Sequence, residues 1–328
     1  MSNDVKSSVQ ALLPSEWSEK RLDRFASVLP CMLYEYVMTL DGQRELLFVG
    51  SNCHELLELY EEEFIGNPNL FAAMVNEEDI HGLIAADVTA NLRGVPFASE
   101  VRIQTKSGCQ KWIHLASRPN TATDGGLVIW TGFMLDITER KNMEDQIRQL
   151  ALYDPLTNLP NRRLITDRLG QLMNTCDRNG TKGALMVLDL DNFKVANDRF
   201  GHKAGDLLLI ETAARLKEVI RETDTVGRFG GDEFVIILSE LGTGAEEAAQ
   251  QALALAEKVR SSLAKPFLLD VAEPTQATET VMHKCGVSIG VTLFNGSLVE
   301  QEGLFAAADA AMYLAKEAGR NQIRLAAP

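Results

Sequence analysis

Residues 226–238 read VGRFGGDEFVIIL. Two apolar, β-branched runs flank Gly230 and Gly231, which adopt positive φ at no steric cost, so the stretch predicts a β-hairpin with a tight turn. A purely structural turn would be served as well by Asn-Gly. Here Asp232 and Glu233 follow the glycines directly. Adjacent carboxylates repel unless a cation sits on them, and hard divalent ions are held by one or two carboxylates together with substrate phosphates. The turn is therefore a candidate metal and phosphate site, with solvated turn acids as the bland alternative.

A second acidic cluster closes the apolar run GALMVLDLD at 183–191, which predicts a buried strand. Asp189 and Asp191 stand two apart, hence on one face of that strand. Carboxyl ends of strands in α/β sheets are where ligands bind. If the strand lies beside the hairpin, Asp189 and Asp232 could share a metal. Lys194 and the backbone N–H groups of Asn192 and Phe193 would then face phosphate oxygens. The surrounding pattern predicts helices at 165–173, 203–221, 245–264 and 304–320 and a strand at 285–294, an α/β sheet covered by helices.

Before residue 138 the periodicity differs. Residues 14–28 show helix-like spacing of Trp17, Leu22, Phe25 and Val28. Strand-like runs follow at 32–38 and 45–50, then a helical middle from Cys53 to Ala90, then strands at 99–105, 111–117 and 127–137. That order predicts an α+β domain, an antiparallel sheet with helices on one face. Between the two domains, Met143, Ile147 and Leu150 form a short heptad-like stripe among charged residues, which predicts a helical linker. A two-stranded coil and a single helix lying on one domain both fit it.

Composition limits the partners. The 328-residue chain has 32 basic and 46 acidic side chains, a net charge of −14, which repels nucleic acid and anionic membrane surfaces. No apolar run approaches the ~20 residues of a membrane span, and the polar start lacks a signal-peptide pattern, so a cytoplasmic protein is expected. Five scattered cysteines without a CxxC pair fit free thiols in a reducing compartment.

The order of elements in the first half, ending WTGFMLDITERK, resembles a PAS sensory domain with its exit helix. The resemblance names no ligand. It lacks the reactive-cysteine segment of a flavin photoreceptor, and His54 and His81 are read as surface or satisfied core residues before haem ligands. In the second half, DPLTNLPNRR (154–163), DLDNFKVANDRFGHKAGD (189–206), RFGGDEF (228–234), VSIGV (287–291) and YLAKEAGRNQ (313–322) together resemble the GGDEF domain of diguanylate cyclases, a nucleotidyl-cyclase-like α/β fold. The implied organisation is an N-terminal segment at 1–19, a PAS domain at 20–137, a helical linker at 138–153 and a GGDEF domain at 154–328.

That resemblance implies condensation of two GTP into cyclic di-GMP and two pyrophosphates, across a homodimer in which each protomer holds one GTP. It implies two Mg2+ ions per GTP site, with Mn2+ as a substitute. Their ligands would be Asp189, the carbonyl of Leu190, Asp232 and Glu233, with Asp232 and Glu233 as the catalytic acids. Asn192, Phe193 and Lys194 would meet phosphate, and Asn197 and Asp206 would read guanine. Lys316 and Arg320, four apart on the last predicted helix, would hold the terminal phosphates. Arg221 and Asp224 in RETD match an inhibitory site for the product, cyclic di-GMP; a surface ion pair is the alternative. The competing functional reading is a catalytically inactive module that binds GTP or cyclic di-GMP as a signal.

Overall fold

The computed structural model describes residues 29–38, 44–122, 128–271, 279–296 and 300–327. The helix expected at 14–28 and the segment 1–19 lie outside them. The chain divides into two compact units, Met1–Asp145 and Gln146–Pro328.

The first unit is built on an antiparallel sheet of β1 (Cys31–Met38), β2 (Arg44–Val49), β3 (Phe97–Gln104), β4 (Gln110–Ala122) and β5 (Val128–Asp136), in the order β2-β1-β5-β4-β3. Between β2 and β3 come α1 (Cys53–Leu57), α2 (Glu61–Gly66), α3 (Asn69–Met74) and α4 (Glu77–Arg93). Alternate residues of each strand turn to the helices: Met32, Tyr34 and Tyr36 of β1 join Ile113 and Leu115 of β4 and Trp130 and Met134 of β5 in one core with Leu57, Phe64 and Phe71. Tyr36 and Trp130 are register partners with rings stacked 5.9 Å apart.

Helix α4 starts where Asn76 accepts the Glu78 N–H and ends at Gly94 in the left-handed region. Its first turn is tied to β3 by Asp79, which accepts the Arg102 backbone N–H at 2.9 Å and two guanidinium N–H groups at 2.7 and 2.8 Å. After β5, α5 (Thr138–Leu152) opens with Asp136 accepting the Thr138 amide and hydroxyl. Met143, Ile147 and Leu150 on it are 51, 66 and 73 % exposed. Among the described residues no helix is long and apolar enough to cross a membrane.

The second unit holds β6 (Gly183–Asp191), β7 (Thr225–Gly230), β8 (Glu233–Leu238), β11 (Gly286–Phe294) and β12 (Ile323–Leu325) in the order β12-β11-β6-β8-β7. In this sheet β11 and β12 pair parallel, and β11–β6, β6–β8 and β8–β7 pair antiparallel. Helices α6 (Arg162–Asn179), α7 (Phe193–Phe200), α8 (His202–Val219), α9 (Ala245–Leu263) and α10 (Gln301–Glu317) cover both faces. All nine residues of β6 are buried, which is why its sequence runs apolar without alternation.

The two faces separate by residue parity. Met186, Leu188 and Leu190 pack with α8 and α9, whereas Leu185 and Val187 pack with α6 and α10. On β8, Phe234 and Ile236 take the first face and Val235 and Ile237 the second. Helix α10 lies directly on β11: a Cβ on Gly290 would stand 1.9 Å from the Ala308 carbonyl oxygen.

Five elements of this unit depart from expectation. The segment after β6, for which no helix was expected, forms the eight-residue α7. A separate two-stranded ribbon of β9 (Phe267–Val271) and β10 (Glu279–His283) and the short β12 were not predicted. The last helix stops at Glu317, because Ala318 caps it and Gly319 leaves at φ 113. Arg320 therefore sits beyond the helix at φ 64, and the expectation that Lys316 and Arg320 share a helix face is corrected.

Candidate active site

The hairpin forms as its glycines dictate. Gly230 has φ 145 and Gly231 φ 53, and a Cβ on either would meet nothing within 4 Å, so backbone conformation rather than crowding calls for glycine. Gly230 pairs with Glu233, leaving Gly231 and Asp232 as the two-residue connection, with a bulge at Phe229 before it. Glu233 is exposed at the start of β8.

Strand β6 runs beside that hairpin with Asp189 opposite Glu233 in register, and the Leu190 N–H donates to the Asp232 carbonyl at 3.3 Å. Parity puts Asp189 and Glu233 on the face covered by α10. There the Lys316 ammonium meets Asp189 Oδ2 at 2.7 Å. Burial pushes the Asp189 carboxyl above its ordinary range, and the charges of Asp232 and Glu233 push the same way. Lys316 opposes them without cancelling them.

Among the described residues no three acidic, histidine or cysteine side chains converge as a ready-made cage for a metal. The donors still fit a hard divalent ion: Asp189 is a buried carboxylate in register with Glu233 and beside the Asp232 turn, and magnesium-like ions take one or two carboxylates and complete their shell with phosphate and water.

Asp191 shares the strand face of Asp189 but is fully engaged by the protein. It accepts the Ser288 hydroxyl at 2.7 Å and the Asn321 N–H at 2.8 Å. Its carbonyl accepts the Cys285 thiol at 3.2 Å, and burial pushes that thiol up to about 12. Asp191 thereby pins the turn after α10, including Arg320, to the end of β6.

Asn192, at φ 59, turns the chain into α7, so Phe193 and Lys194 supply the first helical N–H groups, and Lys194 is exposed. Asn197 lies on α7 with its Oδ1 where a Cβ on Gly205 would be only 1.8 Å away. Gly205 thus lets α8 approach α7 and sets Asn197 near Asp206, which is exposed one residue further on. Arg221 and Asp224 lie in the turn before β7. Asp224 accepts the Arg221 N–H at 3.4 Å and the Ser239 N–H at 3.2 Å. This turn is at the opposite end of β7 from the acids, roughly 17 Å along the strand.

Arg228 was not singled out from the sequence, although it stands in RFGGDEF. Its guanidinium donates to both Asp154 oxygens at 3.0 Å and to the Gly231 carbonyl at 3.0 and 2.7 Å. Burial raises the Asp154 carboxyl, and the Thr157 hydroxyl and amide together with Arg228 outweigh that and hold it below the ordinary range. The DPLT turn and the acidic turn are thereby clamped to one another. Of the cysteines, Cys53, Cys176 and Cys285 are buried, whereas Cys109 is exposed. His54 and His81 are exposed, His54 against the Tyr60 ring.

The family model described as "Diguanylate cyclase, GGDEF domain" matches residues 151–322, and the chain belongs to that family. It is 40 % identical over 198 residues to the bifunctional diguanylate cyclase/cyclic di-GMP phosphodiesterase MucR of Pseudomonas aeruginosa, covering 60 % of this chain and 26 % of that protein. It is 41 % identical over 186 residues to the diguanylate cyclase DgcP of the same organism, covering 56 % and 25 %. A solved GGDEF-only variant of TpbB from Pseudomonas aeruginosa is 33 % identical, with a TM-score of 0.46 over 53 % of this chain and 94 % of that one. The chain spans about a quarter of the length of the curated relatives MucR and DgcP.

Proposed function

We propose that the chain is a diguanylate cyclase, joining two GTP into cyclic di-GMP with release of two pyrophosphates. The observation that carries this reading is the buried Asp189 carboxylate set in register with Glu233 beside Asp232, at the end of the central strand. Asp189, Asp232, Glu233 and the Leu190 carbonyl would hold divalent metal, magnesium in the first instance, which when bound polarises the phosphoryl oxygens and lowers the pKa of the attacking hydroxyl. Glu233, exposed at the strand start, accepts the proton of the 3′-hydroxyl. Lys316, already on Asp189, is placed to exchange that carboxylate for phosphate oxygens, with Arg320 beside it past the helix end. The first N–H groups of α7 and Lys194 take the remaining phosphate charge.

Asn197 and Asp206 read the base. A carboxylate accepts from the N1–H and N2–H groups of guanine, whereas adenine has no N1–H and would leave it unpaired. Because the proposed product joins two GTP, the reading includes a homodimer in which a second copy supplies the other GTP. It also includes PAS-type control by the first unit and product inhibition through Arg221 and Asp224.

The test is incubation of the purified chain with GTP and Mg2+, and separately Mn2+, with nucleotides resolved by mass spectrometry. Cyclic di-GMP and pyrophosphate in one-to-two ratio are expected. Intact GTP bound without turnover would replace this reading with that of an inactive binding module.

A further inference from the structure

Past the end of α10 the chain makes a turn that its residues do not favour. Arg320 at φ 64 and Asn321 at φ 44 are consecutive non-glycine residues in the left-handed region. Side chains other than glycine enter that region singly and at a cost in free energy, Asn most readily, so two in succession persist only where the surroundings hold them. Here α10, β6, β11 and α9 all take part. The Arg320 N–H donates to the Ala315 carbonyl at 3.0 Å, and the Asn321 N–H to Asp191 Oδ2 at 2.8 Å. The Gln322 carbonyl accepts the Ile289 N–H at 3.0 Å, beside the first β11–β12 register pair.

The contact from α9 comes from Arg260, which has no place among the proposed site residues. Its guanidinium is fixed on Glu257, at 2.9 Å from Nε and 2.7 Å from Nη2. That fork leaves Nη1 to donate to Asn321 Oδ1 at 3.2 Å. Gly286, at the start of β11, leaves room for the arrangement: a Cβ there would stand 2.7 Å from Asp191 Oδ2 and 3.0 Å from Asn321 Cβ. The Arg320 guanidinium is exposed and makes no hydrogen bond or ion pair with the described residues. Its backbone is held while its donors stay free, the condition under which a planar cation gives up least freedom on meeting an anion.

We infer that Arg260 and Asn321 are positioning residues, which through the left-handed turn set Arg320 where it meets the terminal phosphates of GTP. The inference rests on the proposed cyclase reading for the identity of the nucleotide. It adds that α9, on which no proposed site residue lies, governs the triphosphate end of the site. A long-range effect of the Arg260 charge would add to the effect of losing Arg320. Positioning instead vanishes once the Arg320 side chain is gone.

Calorimetric titration of the full chain with Mg2+ tests this without turnover. The probes are guanosine 5′-(α,β-methylene)triphosphate and GMP, which lacks the terminal phosphates. Arg320→Ala is expected to weaken triphosphate binding about tenfold, the worth of one charge-assisted hydrogen bond. Asn321→Gly keeps the turn free of strain but loses the Arg260 contact. It and Arg260→Leu should each weaken the triphosphate severalfold and leave GMP unchanged, which also reports an intact fold. Combined with Arg320→Ala, neither should weaken it further. Unaltered triphosphate affinity in both single variants overturns the inference. So does additive loss in the double variants, an equal loss for GMP, or a wild type that does not bind the triphosphate. Triphosphate binding with this coupling, but no cyclic di-GMP formed from GTP, would retire the cyclase reading and uphold the positioning role.

Discussion

Two aspartates two residues apart on β6 have different work. Asp189 is crowded by carboxylates and faces the proposed substrate, whereas Asp191 accepts from Ser288 and Asn321 and is satisfied by the fold. Asp191→Ala should destabilise the second unit by about 2–3 kcal/mol, since it strands a buried hydroxyl and a backbone N–H. The loss of midpoint in urea, followed by circular dichroism, measures it. The hairpin acids should behave in the opposite way. Asp232→Ala and Glu233→Ala are expected to abolish cyclic di-GMP synthesis while shifting stability by no more than about 0.5 kcal/mol, because they pack against little. Full synthesis by both variants would remove them from the chemistry. Sequence spacing placed both strand aspartates on one face and could go no further. Which one is tied down by backbone and hydroxyl donors depends on Ser288 and Asn321, 97 and 130 residues away.

Strands were legible as elements because alternation and turn glycines are local signals, and β6 was legible because burial on both faces leaves an unbroken apolar run. Helix α7 was not: its run FKVANDRF buries only Ala196 fully and looks like solvated turn backbone. The β9–β10 ribbon rests on five-residue strands, too short for periodicity to register. The contact between α7 and α8 makes its own prediction. Gly205→Ala drives a methyl into Asn197, so Asn197 must swing away, and KM for GTP should rise severalfold with kcat changed less; equal loss in both would place the damage elsewhere. In the first unit, α4 is held to β3 through Asp79. Hydrogen bonds from Arg102 depress the Asp79 pKa below its unfolded value. Its contribution is therefore present above an unfolded pKa of about 3.9 and lost as pH falls through the folded value. Asp79→Asn should lower the unfolding midpoint at pH 7 and narrow the difference between pH 7 and pH 3. Trp112 and Trp130 lie in strands of this unit and no tryptophan follows residue 130, so fluorescence does not report the second unit.

At the scale of the molecule, the proposed control of the second unit by the first requires a path along the chain between them. Helix α5 crosses the division, and its stripe of Met143, Ile147 and Leu150 is exposed. We propose that in the dimer this stripe forms a parallel two-stranded seam. Four residues inserted after Gln146 rotate the downstream helix by about 40°, while seven return it to within about 20° of phase. The four-residue insertion should change specific activity markedly at fixed dimer concentration and the seven-residue insertion much less. Equal activity in all three proteins, with dimerisation verified by sedimentation, would make the helix a passive tether. Below that helix, the Arg228 bridge between Asp154 and the Gly231 carbonyl has a consequence for how the domain breathes. Neither turn can loosen alone without stranding a guanidinium, so their amide protons should exchange with solvent as one opening unit. The acidic turn then inherits its protection from Asp154, 74 positions before Arg228 in the chain, and any event that frays the start of the domain also loosens the hairpin.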